Sequence, residues 1–433
     1  MEKREAEASA PDFSRWFKGP MEHPPLSSGF ALSMALAATF MLLMPAIYAG
    51  LLALIALGTV WFIVHVTVPA FEYMRHGLVL LTASVMPLAG FALLAMMIKP
   101  LFARRRGRRA VRTVSGAEAP GLYALVGQVA ALMGAPRPSR IDVDCSANAS
   151  ASFRRGVLSF GSDDLVLTVG LPLVEGLNLR QFVGVVAHEL AHFSQRGSMR
   201  AAYLTRAIDG WLSHAAEEDE IDEAIEDLVE RDPWWIIGSS WGVALVAGIG
   251  RFMLRVLLKG LSLVGRLVTA ALLRQMEYRA DRSEAVVAGA DAFVKTMVDL
   301  AMLSSGERRA MEDVGRSFSR MILPNDLPAL IAVRAKTLPP PMRWAIEERL
   351  QRDATGPLDS HPSTRDRARA VQRVNDPGLF VGEGSTVELF VDFHKVCASA
   401  TKHFYDRAIG PAGRHCRLAS WIEIVHGREA VEG

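Results

Sequence analysis

The chain has 433 residues, with 48 Lys and Arg against 46 Asp and Glu for a net charge of +2, and it is 50% hydrophobic but only 22% charged. With a mean hydropathy of +0.20, that balance points to a membrane protein, and the near-neutral charge carries no sign of a nucleic-acid partner. The three cysteines, Cys145, Cys397 and Cys416, are far apart, odd in number and form no C-x-x-C, so neither a disulfide framework nor a thiolate zinc site is indicated, which fits a reducing, cytosol-facing domain.

In chain order, residues 1–28 mix acids, bases and the prolines Pro11, Pro20, Pro24 and Pro25, the composition of a weakly ordered tail. From Gly29 to Phe71 there is no Asp, Glu, Lys or Arg. About 20 residues cross a bilayer, so the run predicts two helices turning near Pro45 to Gly50, and it is too long for a signal peptide. Gly77 to Ile98 is a third apolar segment, followed by Lys99 and the basic cluster Arg104 to Arg109. A basic cluster directly after a span marks the cytoplasmic side, so residues 29–112 read as about three spans with the N-terminus outside and everything downstream in the cytoplasm.

The chain turns globular from Pro120. Gly121 to Met133 has helical spacing, and Ile141 to Val143 and Leu165 to Val169 read as a pair of strands with a Gly-, Ser- and Asp-rich loop between them. A sheet edge placed before a catalytic helix can pair with an extended peptide, and Asn148-Ala149-Ser150-Ala151 lies there.

Next comes His188-Glu189-Leu190-Ala191-His192. Residues four apart lie one above the other on a helix, so His188 and His192 can hold one Zn²⁺ ion. Neutral imidazoles bind zinc without cancelling its charge, and a bound water then has a pKa near about 7. Glu189 is placed to take that water's proton and pass it to a leaving amine. Asn178 with Gln181 forms a capping-box pattern at the helix start and Gly197 is a natural stop, which puts both histidines near the middle of a buried helix. A pair of ordinary core or surface histidines is the alternative.

Glu217 to Asp232 holds ten acidic residues against one Arg and reads as a solvated segment. Residues 233–273 are apolar apart from a few bases and read as an inserted helical hairpin that crosses the bilayer or lies at its interface. Glu277 and Asp281 follow one helical turn apart. Glu277 can be a third zinc ligand only if the chain between it and His192 crosses the membrane twice or not at all; a solvated Glu/Asp pair is the other reading. Glu284, one turn further on, is read as lying outside the site.

Four pieces together resemble the M48 family of integral-membrane zinc metallopeptidases, which includes the bacterial HtpX-type heat-shock proteases and the eukaryotic CAAX prenyl endopeptidases. They are Asn148 to Ala151, His188 to His192, Glu277-Tyr278-Arg279-Ala280-Asp281 and His361-Pro362 with Arg367. The resemblance implies a mainly α fold with a small β-sheet, a zincin-type, gluzincin-like protease domain attached to transmembrane helices. It implies one Zn²⁺ per chain held by His188, His192 and Glu277, with Glu189 as general base and acid and Asp281 fixing a ligand histidine. His361 or Arg367 would help to stabilise the oxyanion, a structural salt bridge for Arg367 being the alternative. Asn148, Ala149, Ser150 and Ala151 would form the substrate strand, although Ser150 replaces the family's aromatic residue.

On this reading residues 113–375 form the protease domain and 376–433 a helical extension. The expected function is zinc-dependent endopeptidase action on protein or peptide substrates at a lipid bilayer, in the bacterial inner membrane with the site facing the cytoplasm. Membrane-protein quality control is favoured over prenyl-protein processing because the spans are few. A non-catalytic membrane scaffold with a structural zinc is the reading from another class, and Glu189 discriminates, since a structural site has no need of a carboxylate beside an open position.

Overall fold

The structure is a computed structural model that describes residues 11–21, 28–73, 77–102, 110–154, 164–194, 196–217 and 237–425. The basic cluster 104–109 and nearly all of the acidic stretch 217–232 lie outside the described residues. Two compact units are present, one of residues 27–107 and 201–272, the other of 1–26, 108–200 and 273–433.

The first unit is built from apolar helices. α1, Ser28–Phe62, contains Pro45 and does not turn there. It continues through a π-helical turn, Ile63–Thr67, into Val68–Tyr73, so the run expected to form two spans is one helical stretch. Pro45 removes one backbone hydrogen bond, whereas a turn among apolar side chains would strand several backbone groups; a helix that tolerates the proline is the smaller loss. α2, Gly77–Phe102, packs Met96 and Met97 against Met41, Met44 and Tyr48, and the Tyr48 hydroxyl donates to the Met97 carbonyl at 2.7 Å.

The second unit carries the sheet. β1, Arg112–Val114, leads to α3, Pro120–Leu132, and then to β2, Arg140–Asp144, β3, Ala149–Phe153, and β4, Leu165–Gly170. Their order is β1-β2-β4-β3, with β2 and β4 parallel and both outer strands antiparallel. The predicted strand pair is thus the centre of a four-stranded sheet. The stretch read as a loop contains β3, whose Ala-Ser alternation has too little hydrophobic contrast to show in the sequence. At the end of β4, a β-carbon on Gly170 would lie 1.8 Å from the Ser146 carbonyl oxygen, so only glycine lets the approach to β3 pass this close.

α4, Leu179–Ala191, and α5, Arg196–Glu217, follow the sheet. The expected hairpin at 233–273 is replaced, from residue 237 on, by a single helix, α6, Ile237–Ala288. No proline interrupts this stretch after Pro233, and the glycines and serines at Gly238 to Gly242 are carried inside the helix. At 52 residues it is about 78 Å long, enough for an apolar span and a separate stretch that carries the site residues. Among the described residues, two helical segments are long and apolar enough to cross a membrane, Ser28–Tyr73 and Gly248–Ala288, and Ala83–Ile98 is a shorter apolar helix.

α7, Ala290–Phe318, β5, Ile322–Pro324, α8, Leu327–Lys336, α9, Thr364–Gln372, α10, Phe393–Ala408, and β6, Arg417–Ala419, complete the second unit. The extension expected to be helical therefore also supplies β6, which pairs in parallel with β5.

Residues 11–21 correct the reading of a loose tail. Phe13 is buried, Trp16 and Phe17 pack edge-on against Phe380 with centroids 5.9 and 5.2 Å away, and Lys18 and Val381 exchange backbone bonds with Leu379 and Trp16. Three aromatic residues within five positions outweigh the prolines around them.

Candidate metal centre and active site

α4 starts as its sequence predicts. The Asn178 side chain accepts from the Gln181 amide at 2.9 Å and the Gln181 side chain accepts from the Asn178 amide at 3.1 Å, a complete capping box. Its end is earlier than Gly197. Phe193 and Ser194 donate three residues back, to Leu190 and Ala191, and the Ser194 hydroxyl caps Ala191 at 2.8 Å. His188 thus lies in the last turn and His192 is the C-cap residue, not mid-helix, but His192 keeps a helical backbone and the two rings stand 5.1 Å apart.

The site half of α6 brings Glu277 to them. His188 Nε2 is 3.7 Å from Glu277 Oε2, and His192 Nε2 is 3.8 Å from Glu277 Oε1. One ligand atom from each residue lies within 4.8 Å of the others. Donors at about 2.0–2.2 Å from a tetrahedral ion are roughly 3.3–3.6 Å apart, so two imidazoles and a carboxylate in this arrangement fit a zinc ion with little movement. Glu189, the next residue on α4, is partly exposed and its Oε2 accepts the Ala151 amide of β3 at 3.1 Å. His361 is 62% exposed and its Nδ1 is 3.3 Å from Glu277 Oε2.

Behind His188 the surroundings differ. Nδ1 is 3.3 Å from Asp281 Oδ1 and 3.3 Å from Glu284 Oε2, both carboxylates fully buried. Arg367, near the start of α9, donates from Nε to both Asp281 oxygens at 3.1 and 2.9 Å and from Nη2 at 2.5 Å, and its guanidinium lies over the Phe293 ring. Of the two roles considered for Arg367, the geometry gives the salt bridge. Burial alone would push the His188 imidazolium down, but Asp281, Glu277 and Glu284 outweigh it and hold the metal-free pKa well above the ordinary histidine value. Burial likewise works against the Arg367 charge, and Asp281 more than restores it.

His188, Asp281 and Glu284 also form a compact donor set. The guanidinium on Asp281 repels a second cation there, whereas the Glu277 side offers an uncrowded triad with a carboxylate next to it. The first set is therefore the candidate metal centre.

The structure places His188, His192, Glu277, Asp281, His361 and Arg367 in one cluster, with Glu189 tied to Ala151; Ala149 and Ser150 lie on β3, and Asn148 lies just outside it, where its carbonyl accepts from Gly170. Glu284, read as remote, is part of the cluster. The signal was present in the spacing, since Glu277, Asp281, Glu284 and Ala288 recur at four, three and four residues and share one helix face. Cys145, Cys397 and Cys416 are free thiols.

Comparison with known proteins agrees with this arrangement. The protein-family model described as peptidase family M48 matches residues 117–375. The Protease HtpX homolog of Gemmatimonas aurantiaca is 25% identical over 262 residues, 60% of this chain and 78% of that protein. No solved structure matches the chain. With more than half of its length matched, and His188, His192, Glu277 and Arg367 all inside the match, the chain belongs to peptidase family M48 and is a peptidase.

Proposed function

We propose that this protein is a membrane-anchored zinc endopeptidase. The observation that carries the reading is the convergence of His188, His192 and Glu277 beside a carboxylate, Glu189, that is itself hydrogen-bonded to a sheet-edge strand. Zinc held by the three donors supplies a Lewis acid that lowers the pKa of water to about 7 and polarises a carbonyl. Glu189 does the proton work: its carboxylate takes a proton from the attacking water and returns it to the leaving amine nitrogen. Asp281 and Arg367 stay behind His188 as a fixed pair. β3 is an edge strand whose Ala149, Ala151 and Phe153 backbone groups face away from β4, and an extended peptide laid along it is aligned by main-chain bonds past Glu189.

The apolar helices anchor the chain in a bacterial inner membrane with the site on the cytoplasmic face. Because the described apolar helices are too few to wall off a large chamber, unfolded membrane proteins are favoured as substrates over prenylated peptides. The reading is tested with purified full-length protein in detergent and an unfolded membrane protein as substrate. A chelator is expected to stop cleavage and zinc to restore it. Glu189→Gln keeps its zinc while cleavage falls at least about 10²-fold. Undiminished cleavage by Glu189→Gln, or cleavage indifferent to chelation, sinks the proposal.

A further inference from the structure

His361 reaches Glu277 from a stretch of chain that is neither helix nor strand. Residues 353–363 link the helix Pro340–Arg352 to α9, and His361, near their end, is 62% exposed while its Nδ1 stays 3.3 Å from Glu277 Oε2. A ring so placed needs a hold on its backbone, because few side-chain contacts oppose the entropy of the loop. That hold comes from α6. Arg274 lies one turn before Glu277, and its Nη1 donates to the Asp359 carbonyl at 2.7 Å and the Pro357 carbonyl at 3.1 Å, with the Gly356 carbonyl within reach at 3.5 Å. Three carbonyls of one loop therefore converge on one guanidinium nitrogen.

The loop is also bonded to itself. Asp359 Oδ2 accepts the Gly356 amide at 2.7 Å and so closes the turn whose carbonyls face Arg274. The Thr355 hydroxyl donates to Asp366 Oδ2 at 2.6 Å and accepts the Ser363 amide at 2.9 Å, which ties the two ends of the stretch to each other and to the first turn of α9. These bonds give the loop a shape without fixing it on α6. Tyr278, four residues beyond Arg274, meets Thr355 at the far end of the loop, whereas Arg274 grips it at Asp359, two residues from His361. The hydrogen bonds of the Arg274 side chain among the described residues all go to this loop, and a charged donor makes each of them stronger than a neutral one could.

We infer that Arg274 is a positioning residue for His361. By gathering the carbonyls of 356, 357 and 359 it fixes the loop on α6 one turn from Glu277, so the helix that carries this carboxylate also sets where the imidazole stands beside it. Without the guanidinium those carbonyls turn to water and the ring leaves its place, while His188, His192 and Glu277 keep theirs. The inference rests on the peptidase reading above, with His361 at work next to Glu277.

The test is a double-mutant cycle on full-length protein in detergent, with peptide cleavage, zinc content and amide hydrogen exchange as readouts. Arg274→Ala is expected to lower kcat by the same factor as His361→Ala, no more than about tenfold, with zinc retained. The double variant is no slower than either single one, because a ring already out of place has nothing further to lose. Arg274→Lys, whose ammonium offers three donors to the same carbonyls, recovers most of the rate. In Arg274→Ala the Gly356 and Ser363 amides exchange faster while those of α4 keep their protection. Asp359→Ala opens the same turn from its exposed side and lowers kcat in the same sense, which keeps the test decisive if Arg274→Ala does not fold. Losses that multiply in the double variant, wild-type turnover in Arg274→Ala or in His361→Ala, unchanged exchange in the loop, or zinc lost from Arg274→Ala overturns the inference. Failure of the peptidase reading looks different: the wild-type protein would then show no chelator-sensitive cleavage, with no change at position 274 involved.

Discussion

The two ring nitrogens of His188 look onto two regions that share a residue and little else. On the Nε2 side, Glu277 and His192 stand 3.7–3.8 Å apart from their neighbours in pairs too long for hydrogen bonds, next to the partly exposed Glu189 and the exposed His361. On the Nδ1 side, Asp281 and Glu284 are buried and Arg367 is clamped on Asp281 by short bonds. Gaps of that size between donors suit an ion between them; short, closed contacts suit a permanent pair. The difference separates a region built to bind from a region built to hold, although both are lined by carboxylates on one face of α6.

Breaking the binding side has the largest effect. Glu277→Ala leaves two imidazoles for the metal, so zinc is expected to be lost on dialysis and proteolysis to fall to background, read by elemental analysis and peptide cleavage. Retention of full zinc would move the third ligand elsewhere. Breaking the holding side acts on the fold instead. Arg367→Met strands the Asp281 charge in a buried place and is expected to cost about 3–5 kcal/mol of stability, seen as a drop in thermal midpoint. A midpoint within a degree of wild type would mean that the pair holds nothing.

The pH dependence sharpens the contrast. In the metal-free protein the raised His188 pKa means that protonation stabilises the fold fully below the ordinary value of 6.5, and that this contribution is lost as pH rises through the higher folded value. Zinc must displace the same proton, so its affinity rises over that window. The gap in thermal midpoint between zinc-loaded and metal-free protein should therefore widen with rising pH above 6.5; a constant gap contradicts the shift. His361→Ala is the smallest change. An exposed ring beside Glu277 contributes about one weak hydrogen bond, so turnover is expected to fall by no more than about tenfold with zinc retained.

Much of the binding side was legible in the sequence, and for a physical reason: His188 and His192 lie on one helix, where spacing alone dictates proximity. Glu277 is eighty-five residues further on, and only its likeness to a family pattern tied it to them. Glu284 carries the same helical spacing as Glu277 and Asp281, yet periodicity cannot say which partner a face meets, so it was read as lying outside the site. Periodicity read the stretch holding β3 as a loop because alanine and serine fit strand and loop alike, and only the family resemblance marked Asn148 to Ala151 as a strand; the seat of residues 11–21 escaped because composition averages over the three aromatic side chains that matter. Pro45 was weighted as a breaker, and an apolar helix absorbed it.

The hydrogen bond from the Ala151 amide to Glu189 has a consequence for how occupancy is sensed. An amide carries a single proton, and Ala151 faces the open side of the sheet, where a peptide strand would seek that same proton. Under the proposed mechanism, a chain docking in full register would compete with Glu189 for that proton, so docking and the proton acceptor would be coupled through one bond. Proline at position 151 supplies no such proton and, on an outer strand, leaves the ladder to β4 intact, so it would separate that bond from the sheet that carries it.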